Sequence, residues 1–216
     1  MLPETRAEQA RRLRAIVDNP DFKTPADVEA FFVAYTKCIW DHKLVGLIYD
    51  NYTDETVIHG ENGTTIAGIG PVVYHTLERL YTLPDMKIQF IGIWAHKVSD
   101  DEFKFIQITH PEGTFTGPSQ YGAPTGATLG YDNIMNMCEC RVRKIDGVWK
   151  IVEEWGLLGY ANFSRMQLRQ PLTLPAEYPP VSDRSPRPWF SLGGSAPASR
   201  SRHRRSKSIR ARDVPG

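Results

Sequence analysis

The first part of the chain has apolar residues at helical spacing. Residues 5–18, TRAEQARRLRAIVD, are rich in helix formers and end before Asn19-Pro20, which predicts a short helix. Thr24 and Pro25 are typical of a helix start, and apolar residues then recur at intervals of three and four, which predicts a helix over 24–42. A further helix is predicted over 70–83, ending near Pro84.

From residue 86 onward the pattern is that of strands. Four segments rich in β-branched and aromatic residues follow one another, at 86–98, 102–110, 131–145 and 148–155. A shorter strand, ETVIHG, precedes the helix at 70–83, and a loop rich in Gly, Pro and hydroxyl side chains spans 113–130. Helices followed by consecutive strands predict an α+β domain with the helices on one face of an antiparallel sheet.

Several short motifs resemble those of the SnoaL-like polyketide cyclase family, within the nuclear transport factor two-like superfamily. They are VIHG at 57–60, LPDM at 83–86, GTFTG at 113–117, YGAPTG at 121–126, and DG at 146–147 leading to IVEEW at 151–155. The resemblance covers residues 25–170. It implies a cone-shaped curved antiparallel sheet with helices packed on its concave face, a ligand pocket inside the cone, and a homodimer through the outer sheet surface.

We therefore predict three segments. Residues 1–23 form an N-terminal helix and lead-in, residues 24–170 the cone domain, and residues 171–216 a Pro/Ser/Arg-rich tail that is mostly disordered. Two positions depart from the family pattern: Phe115 replaces a frequent histidine, and Gly159 replaces a frequent acidic or amide residue. An acid/base role at either position is not expected.

The Asp146-Gly147 pair predicts a two-residue hairpin that fixes the register of the last two strands. Counting outward pairs Cys140 with Glu153 and Cys138 with Trp155, and places the more apolar face inward. Glu153, Asn136 and Asp132 then stand out as polar residues on that inner wall.

Glu153 is the leading catalytic candidate, because burial raises the pKa of a carboxyl group and suits it to proton transfer near neutral pH. An equally open interpretation is a structural carboxylate that accepts hydrogen bonds at the mouth of the cone. Asp132 is a second candidate, or a residue of the rim. His59, which the resemblance places at the pocket wall, is a third candidate, or a half-buried histidine bonded to a neighbour.

The substrate-binding candidates are mostly aromatic. Large aromatic side chains can line an apolar cavity or hold a flat organic ligand, although they also form ordinary cores. The residues concerned are Asn136, Trp155, Trp94, Tyr35, Trp40 and Tyr121.

Cofactors and metals are not expected. No Gly-rich phosphate loop follows a strand, and the histidines show no HxH or HxxxH spacing. Cys138 and Cys140 are read as core thiols, since no histidine is near them in sequence to activate a nucleophile.

Charge is distributed unevenly along the chain. Residues 183–216 hold nine of the 26 Lys and Arg and two of the 25 Asp and Glu, so this segment carries +7 and the preceding part −6. An acidic body argues against a nucleic-acid partner, whereas the tail allows weak, nonspecific contact with nucleic acid or other anions. No apolar run is long enough for a signal peptide or a membrane span, and three cysteines indicate a cytoplasmic protein.

Together these patterns predict a small-molecule-binding protein that is also a cofactor-independent enzyme. Its acid/base chemistry would be of cyclase, isomerase, dehydratase or hydrolase type, on a small apolar carbonyl compound. The alternative is a ligand-binding or assembly domain of the same fold that catalyses nothing.

Overall fold

A computed structural model describes residues 4–120, 122–132 and 134–168. These residues belong to the compact unit Met1–Leu172. The predicted tail and Tyr121 lie outside the described residues, and the predicted domain boundaries stay predictions. Among the described residues, every helix is too short or too polar to span a membrane.

The helices and strands follow the predicted order. The helices are α1 (Arg6–Val17), α2 (Pro25–Trp40), α3 (Leu47–Asn51), α4 (Ile69–Thr82) and α5 (Tyr160–Gln167). The strands are β1 (Tyr52–Gly60), β2 (Thr65–Ala67), β3 (Lys87–Ser99), β4 (Glu102–Thr114), β5 (Thr128–Leu129), β6 (Asn136–Ile145) and β7 (Val148–Leu157).

The first two helices begin at capping boxes. In α1 the Thr5 side chain accepts from the Glu8 amide, and in α2 the Thr24 side chain accepts from the Asp27 amide, while each acidic side chain bonds back to the cap. Pro25 occupies the first turn of α2, where its missing N–H costs nothing. The apolar stripe that predicted α2 is buried, which confirms the prediction of this helix.

The sheet has the strand order β2-β1-β7-β6-β4-β3, with β5 paired to β4 outside this path. Strand β1 runs parallel to β7, and the other neighbours are antiparallel. Buried side chains of α2 pack with Phe103, Phe105 and Trp149 on one face of this curved sheet. The predicted α+β class, a curved sheet with helices on its concave face, is confirmed.

A β-bulge changes the register of the last two strands. The pairs Ile145 with Val148 and Val142 with Ile151 are as predicted, but Arg141 then pairs with Glu153. Val152 is therefore an extra residue that faces no partner, and every later side chain of β7 changes face. The predicted pairs of Cys140 with Glu153 and Cys138 with Trp155 are wrong: Cys140 pairs with Glu154, and Cys138 pairs with Gly156.

Strand β1 is also irregular where it pairs with the bulged part of β7. Its pairing with β7 shifts between Tyr52 and Val57, and within this stretch the fully buried Thr56 donates its hydroxyl to the Ile151 carbonyl at 2.7 Å. The Thr56 side chain thus satisfies a carbonyl beside the bulge. Both irregularities keep Glu154 on the concave face, opposite Ile58 and Cys140.

We expect Thr56→Val to lower the free energy of unfolding by about 1–3 kcal/mol, because it leaves the buried Ile151 carbonyl without its donor. Urea denaturation of the purified variant measures this change. Thr65→Val, at an exposed position of β2, is the matched control and should change stability by less than about 0.5 kcal/mol. Equal effects of the two substitutions would contradict the role given to Thr56.

Candidate functional site

A cavity lies between the concave face of the sheet and α2, α4 and α5. Within the cavity, the centres of water molecules can occupy a volume of about 210 Å³. By the same measure a single water molecule needs about 10–15 Å³. The cavity is therefore large enough for a small organic molecule. Much of its wall is apolar, with Phe32, Ile39, Trp40, Ile48, Ile58, Val72, Met86, Ile88, Phe105, Ile151 and Phe163 among the lining residues.

Glu154 lies in the wall of this cavity and has two side-chain donors. The Tyr52 hydroxyl donates to Glu154 Oε2 at 2.9 Å, and the Cys138 thiol donates to Glu154 Oε1 at 2.8 Å. These residues come from β1, β6 and β7, which are neighbours in the sheet. The two donors fix the orientation of the carboxyl group.

The surroundings of Glu154 change its acidity. Burial raises the pKa of Glu154, and the hydrogen bonds from Cys138 and Tyr52 oppose this only in part, so the net shift is upward. Burial, and then the charge of Glu154, raise the pKa of Tyr52 and of Tyr35 well above the usual value. Both phenols therefore keep their protons, and Glu154 is the group suited to exchanging one.

The two inner cysteines are also protonated hydrogen-bonding groups. The hydrogen bond with Cys140, and then burial, raise the pKa of Cys138 well above its usual value, and burial raises that of Cys140. A thiol with a raised pKa is a poor nucleophile, which favours the interpretation of these residues as packing groups.

Cys138, Cys140 and Glu154 are the described side chains that could hold a metal ion. Their ligand atoms all lie within 4.8 Å of one another, and thiolate with carboxylate is a ligand set found at zinc sites. Both thiols would have to release protons that their surroundings retain. The predictions that the protein binds no metal and no cofactor stay predictions.

Glu153, the leading catalytic candidate from the sequence, lies on the outer face. Its side chain is 37% exposed, and one carboxylate oxygen lies 3.5 Å from His59 Nε2. The predicted inward placement of Glu153 is wrong, because the bulge at Val152 turns it outward and turns Glu154 inward. The burial on which its catalytic role depended is therefore absent.

His59 and Trp155 are also on the outer face. Their rings stack with centroids 3.9 Å apart, and Trp155 is 55% exposed. Ile58 lines the cavity. Because side chains alternate along β1, the next residue, His59, points away from the cavity. The expected positions of His59 at the pocket wall and of Trp155 in the pocket are wrong.

Two further candidates lie away from the cavity. Asp132 is exposed in a turn before β6, so its expected place on the inner wall is wrong. Trp94 is 54% exposed, and its ring covers Gly92 of the same strand. It pairs with Ile106 of β4, and both side chains lie on the outer face of the sheet. The pocket placement expected for Trp94 is likewise wrong.

Three substrate-binding candidates do line the cavity. They are Tyr35 and Trp40 from α2 and Asn136 from the start of β6. The structure brings them together because α2 packs across the concave face on which Asn136 lies. Their role in binding stays a prediction.

Sequence reasoning missed Glu154, Tyr52 and Gln167. A signal for Glu154 was present, because regular alternation of apolar and polar residues fails at Ile151-Val152-Glu153-Glu154, as expected where a bulge inserts one residue. Tyr52 and Gln167 gave no signal, since their places depend on how β1 and α5 close the cavity.

The chain is similar in structure to several solved proteins at low sequence identity. A candidate SnoaL-like polyketide cyclase from Jannaschia sp. CCS1 is 12% identical, with a TM-score of 0.49 over 70% of this chain and 99% of that one. A hexachlorocyclohexane dehydrochlorinase, LinA type 2, is 15% identical, with a TM-score of 0.48 over 70% and 88%. An NTF2-like protein with a cystatin-like fold from Novosphingobium aromaticivorans is 11% identical, with a TM-score of 0.46 over 72% and 90%.

No protein-family model matches the sequence, and no curated protein is similar to it in sequence. The structural matches include the group of proteins that the sequence motifs resemble.

Proposed function

We propose that this chain is a cofactor-independent enzyme that carries out acid/base chemistry on a small, largely apolar carbonyl compound. The observation that carries the proposal is Glu154, a partly buried carboxyl group with a raised pKa in the wall of an apolar cavity, held by Tyr52 and Cys138. A carboxyl group in such a place is suited to accept and return a proton near neutral pH.

In the proposed reaction, ionised Glu154 removes a proton from a carbon next to the substrate carbonyl. The electron pair of the broken C–H bond moves toward the carbonyl oxygen, which becomes an enolate. The Tyr35 hydroxyl, which lines the cavity and has no partner among the described residues, donates a hydrogen bond to that oxygen. Protonated Glu154 then returns its proton to the substrate at the same or another atom, which is the step common to isomerase, cyclase and dehydratase chemistry.

Proton exchange in heavy water tests the proposal without knowledge of the natural substrate. A panel of small cyclic ketones is incubated with the protein in D₂O, and deuterium incorporation next to the carbonyl is followed by mass spectrometry. We expect the wild-type protein and Glu153→Gln to accelerate exchange of at least one ketone, and Glu154→Gln to do so far less. Ketones that bind without exchange in any variant would favour the alternative, a ligand-binding domain that catalyses nothing.

A homodimer through the outer sheet face is part of the proposal. One row of outward side chains crosses five strands: Trp94, Ile106, Glu139, Trp155 and His59. Both tryptophans are more than half exposed, and exposed apolar groups that adjoin one another mark interaction surfaces. Glu139 within the row pairs with Lys104 beside it at 3.2 Å, and such neighbouring opposite charges allow the same face of a second copy to match it.

We expect Trp155→Glu to convert the dimer into a monomer, because it removes an exposed tryptophan from this row and places a second carboxylate directly opposite Glu139. Light scattering at micromolar concentration measures the change in mass. Tyr74→Glu, on the exposed face of α4 and away from the outer sheet face, is the control and should stay dimeric. A wild-type mass equal to that of the monomer would contradict the proposed dimer.

A cytoplasmic location is also proposed. All three cysteines of the chain are free and buried, and none is placed in a disulfide. Free thiols are typical of proteins in reducing compartments, which supports this location.

A further inference from the structure

Three buried side chains of the cavity have an oxygen without a hydrogen-bond partner among the described residues. They are Tyr35 Oη, Asn136 Oδ1 and Gln167 Oε1, in residues that are 4%, 8% and 6% exposed. All three residues line the same cavity. Since buried polar atoms in folded proteins are almost always paired, this grouping indicates a partner other than the residues that the structure describes.

The unused capacity is mainly that of acceptors. The amide oxygens of Asn136 and Gln167 can only accept, as can the ionised carboxylate of Glu154, whereas the Tyr35 hydroxyl can donate. A ligand that satisfies the amide oxygens must therefore bring O–H or N–H groups. An anionic ligand group would face these oxygens and be repelled by Glu154, so the matching ligand is neutral there.

Asn136 and Cys138, which contacts Glu154, are separated by about the width of a small ring. Asn136 and Cys138 lie on the same face of β6, two residues apart, which places their Cα atoms about 7 Å from each other. Cys138 contacts Glu154, so a ligand group bound to Asn136 lies roughly one ring from the carboxyl group.

Gln167 approaches the cavity from another side. It lies at the end of α5, the helix whose Phe163 belongs to a different hydrophobic cluster from that of Tyr35. A ligand that reaches Tyr35, Asn136 and Gln167 must therefore extend between the two clusters.

We propose that the cavity selects a neutral, ring-containing, largely apolar molecule with at least two O–H or N–H groups, and that Asn136 and Gln167 are the residues that select it. The proposal rests on the proposed function only in sharing its cavity, because selective binding needs no turnover. It defines the substrate class by its hydrogen-bond donors: an O–H or N–H group for each of the two amide oxygens, in addition to the carbonyl that Tyr35 would bind.

Three compounds that share the naphthalene ring system test the selection. Dihydroxynaphthalene offers two donors, its dimethyl ether offers none, and the matching naphthalene dicarboxylate is anionic. We expect the wild-type protein to bind the dihydroxy compound at least about tenfold more tightly than either of the others, as measured by calorimetry. Equal binding of the dihydroxy compound and the ether, or tightest binding of the dicarboxylate, would overturn the proposal.

Two variants that keep side-chain size assign the selection to its residues. Asn136→Leu and Gln167→Met should each weaken binding of the dihydroxy compound about tenfold and leave binding of the ether unchanged. Without ligand, each should melt at the wild-type temperature or above it, since removing an unpaired buried oxygen relieves an unfavourable burial. Gln89→Met, at an exposed position of β3, is the control and should change neither property.

A purely structural role predicts the opposite pattern. If both variants melt at lower temperature and bind the dihydroxy compound as the wild-type protein does, the two oxygens serve the fold and the proposal fails. Selective binding without any detectable proton exchange would refute the proposed enzyme but not this selection. Proton exchange without selectivity for hydroxyl groups would refute the selection but not the enzyme.

Discussion

Replacing Glu154 by glutamine should lower turnover at least about a hundredfold while preserving the fold, because positioned acid/base groups contribute about 10²–10⁴ to the rate. Glutamine has nearly the same size and can still accept a hydrogen bond from Tyr52 or Cys138, but it cannot take a proton. The rate of deuterium exchange into a bound ketone, with saturating and limiting ketone, measures the effect on kcat and on kcat/KM.

The same substitution separates catalysis from structure through its effect on stability. The pKa of Glu154 is raised in the folded protein, so the folded state holds its proton more tightly than the unfolded state does. The stability linked to this proton is present below the unfolded carboxyl pKa and is lost as pH rises through the folded pKa. Glutamine does not titrate and escapes this loss.

Melting curves from acid to neutral pH should therefore show Glu154→Gln gaining stability relative to the wild-type protein as pH rises. The expected gain is about 1.4 kcal/mol for each unit by which the pKa is raised. Glu153→Gln, next in sequence and on the outer face, is the matched control, and its turnover should stay within about twofold of wild type. A Glu154→Gln variant that is less stable at neutral pH and fully active would identify a structural carboxylate.

Replacing Phe103 by alanine should lower the free energy of unfolding by about 3–5 kcal/mol, the usual cost of removing a buried aromatic side chain. Phe103 is completely buried on the concave face of β4, with its ring centroid 5.5 Å from that of Trp149 and 6.3 Å from that of Phe22. It thereby connects the sheet to the segment between α1 and α2. The surrounding rings cannot close the space that alanine would leave.

Urea denaturation at a fixed protein concentration measures this change. Tyr74→Ala is the matched control, because it also removes an aromatic ring but from a side chain that is 63% exposed on α4. Its effect should be below about 1 kcal/mol. A loss of stability no larger for Phe103→Ala than for Tyr74→Ala would show that the core does not depend on this aromatic cluster.

The sequence alone determined the elements and their faces wherever periodicity was regular. Apolar residues at helical spacing predicted α2 with its buried stripe, and Asp146-Gly147 predicted the hairpin with its first pairs, Ile145 with Val148 and Val142 with Ile151. These features depend on local steric preferences and on the burial of one face, both of which can be read from neighbouring residues.

The sequence also determined part of the cavity. Tyr35, Trp40 and Asn136 line it, because Tyr35 lies on the buried stripe of α2, the half-buried Trp40 ends this helix, and Asn136 lies on a strand of regular alternation. Glu153, His59, Trp155 and Trp94 do not line it. Asp132 also lies away from it, at an exposed turn, although strand alternation placed it on the inner wall.

Only the tertiary structure decided which carboxyl group faces the cavity. Because strand side chains alternate with a period of two, one unpaired residue at Val152 exchanges the places of Glu153 and Glu154 without changing the composition of the strand. Whether that residue bulges depends on the neighbouring strand, β1, where the Thr56 hydroxyl donates to the Ile151 carbonyl and the Tyr52 hydroxyl donates to Glu154. Tyr52 and Thr56 lie about a hundred residues before β7 in the chain, and no local pattern connects them to it.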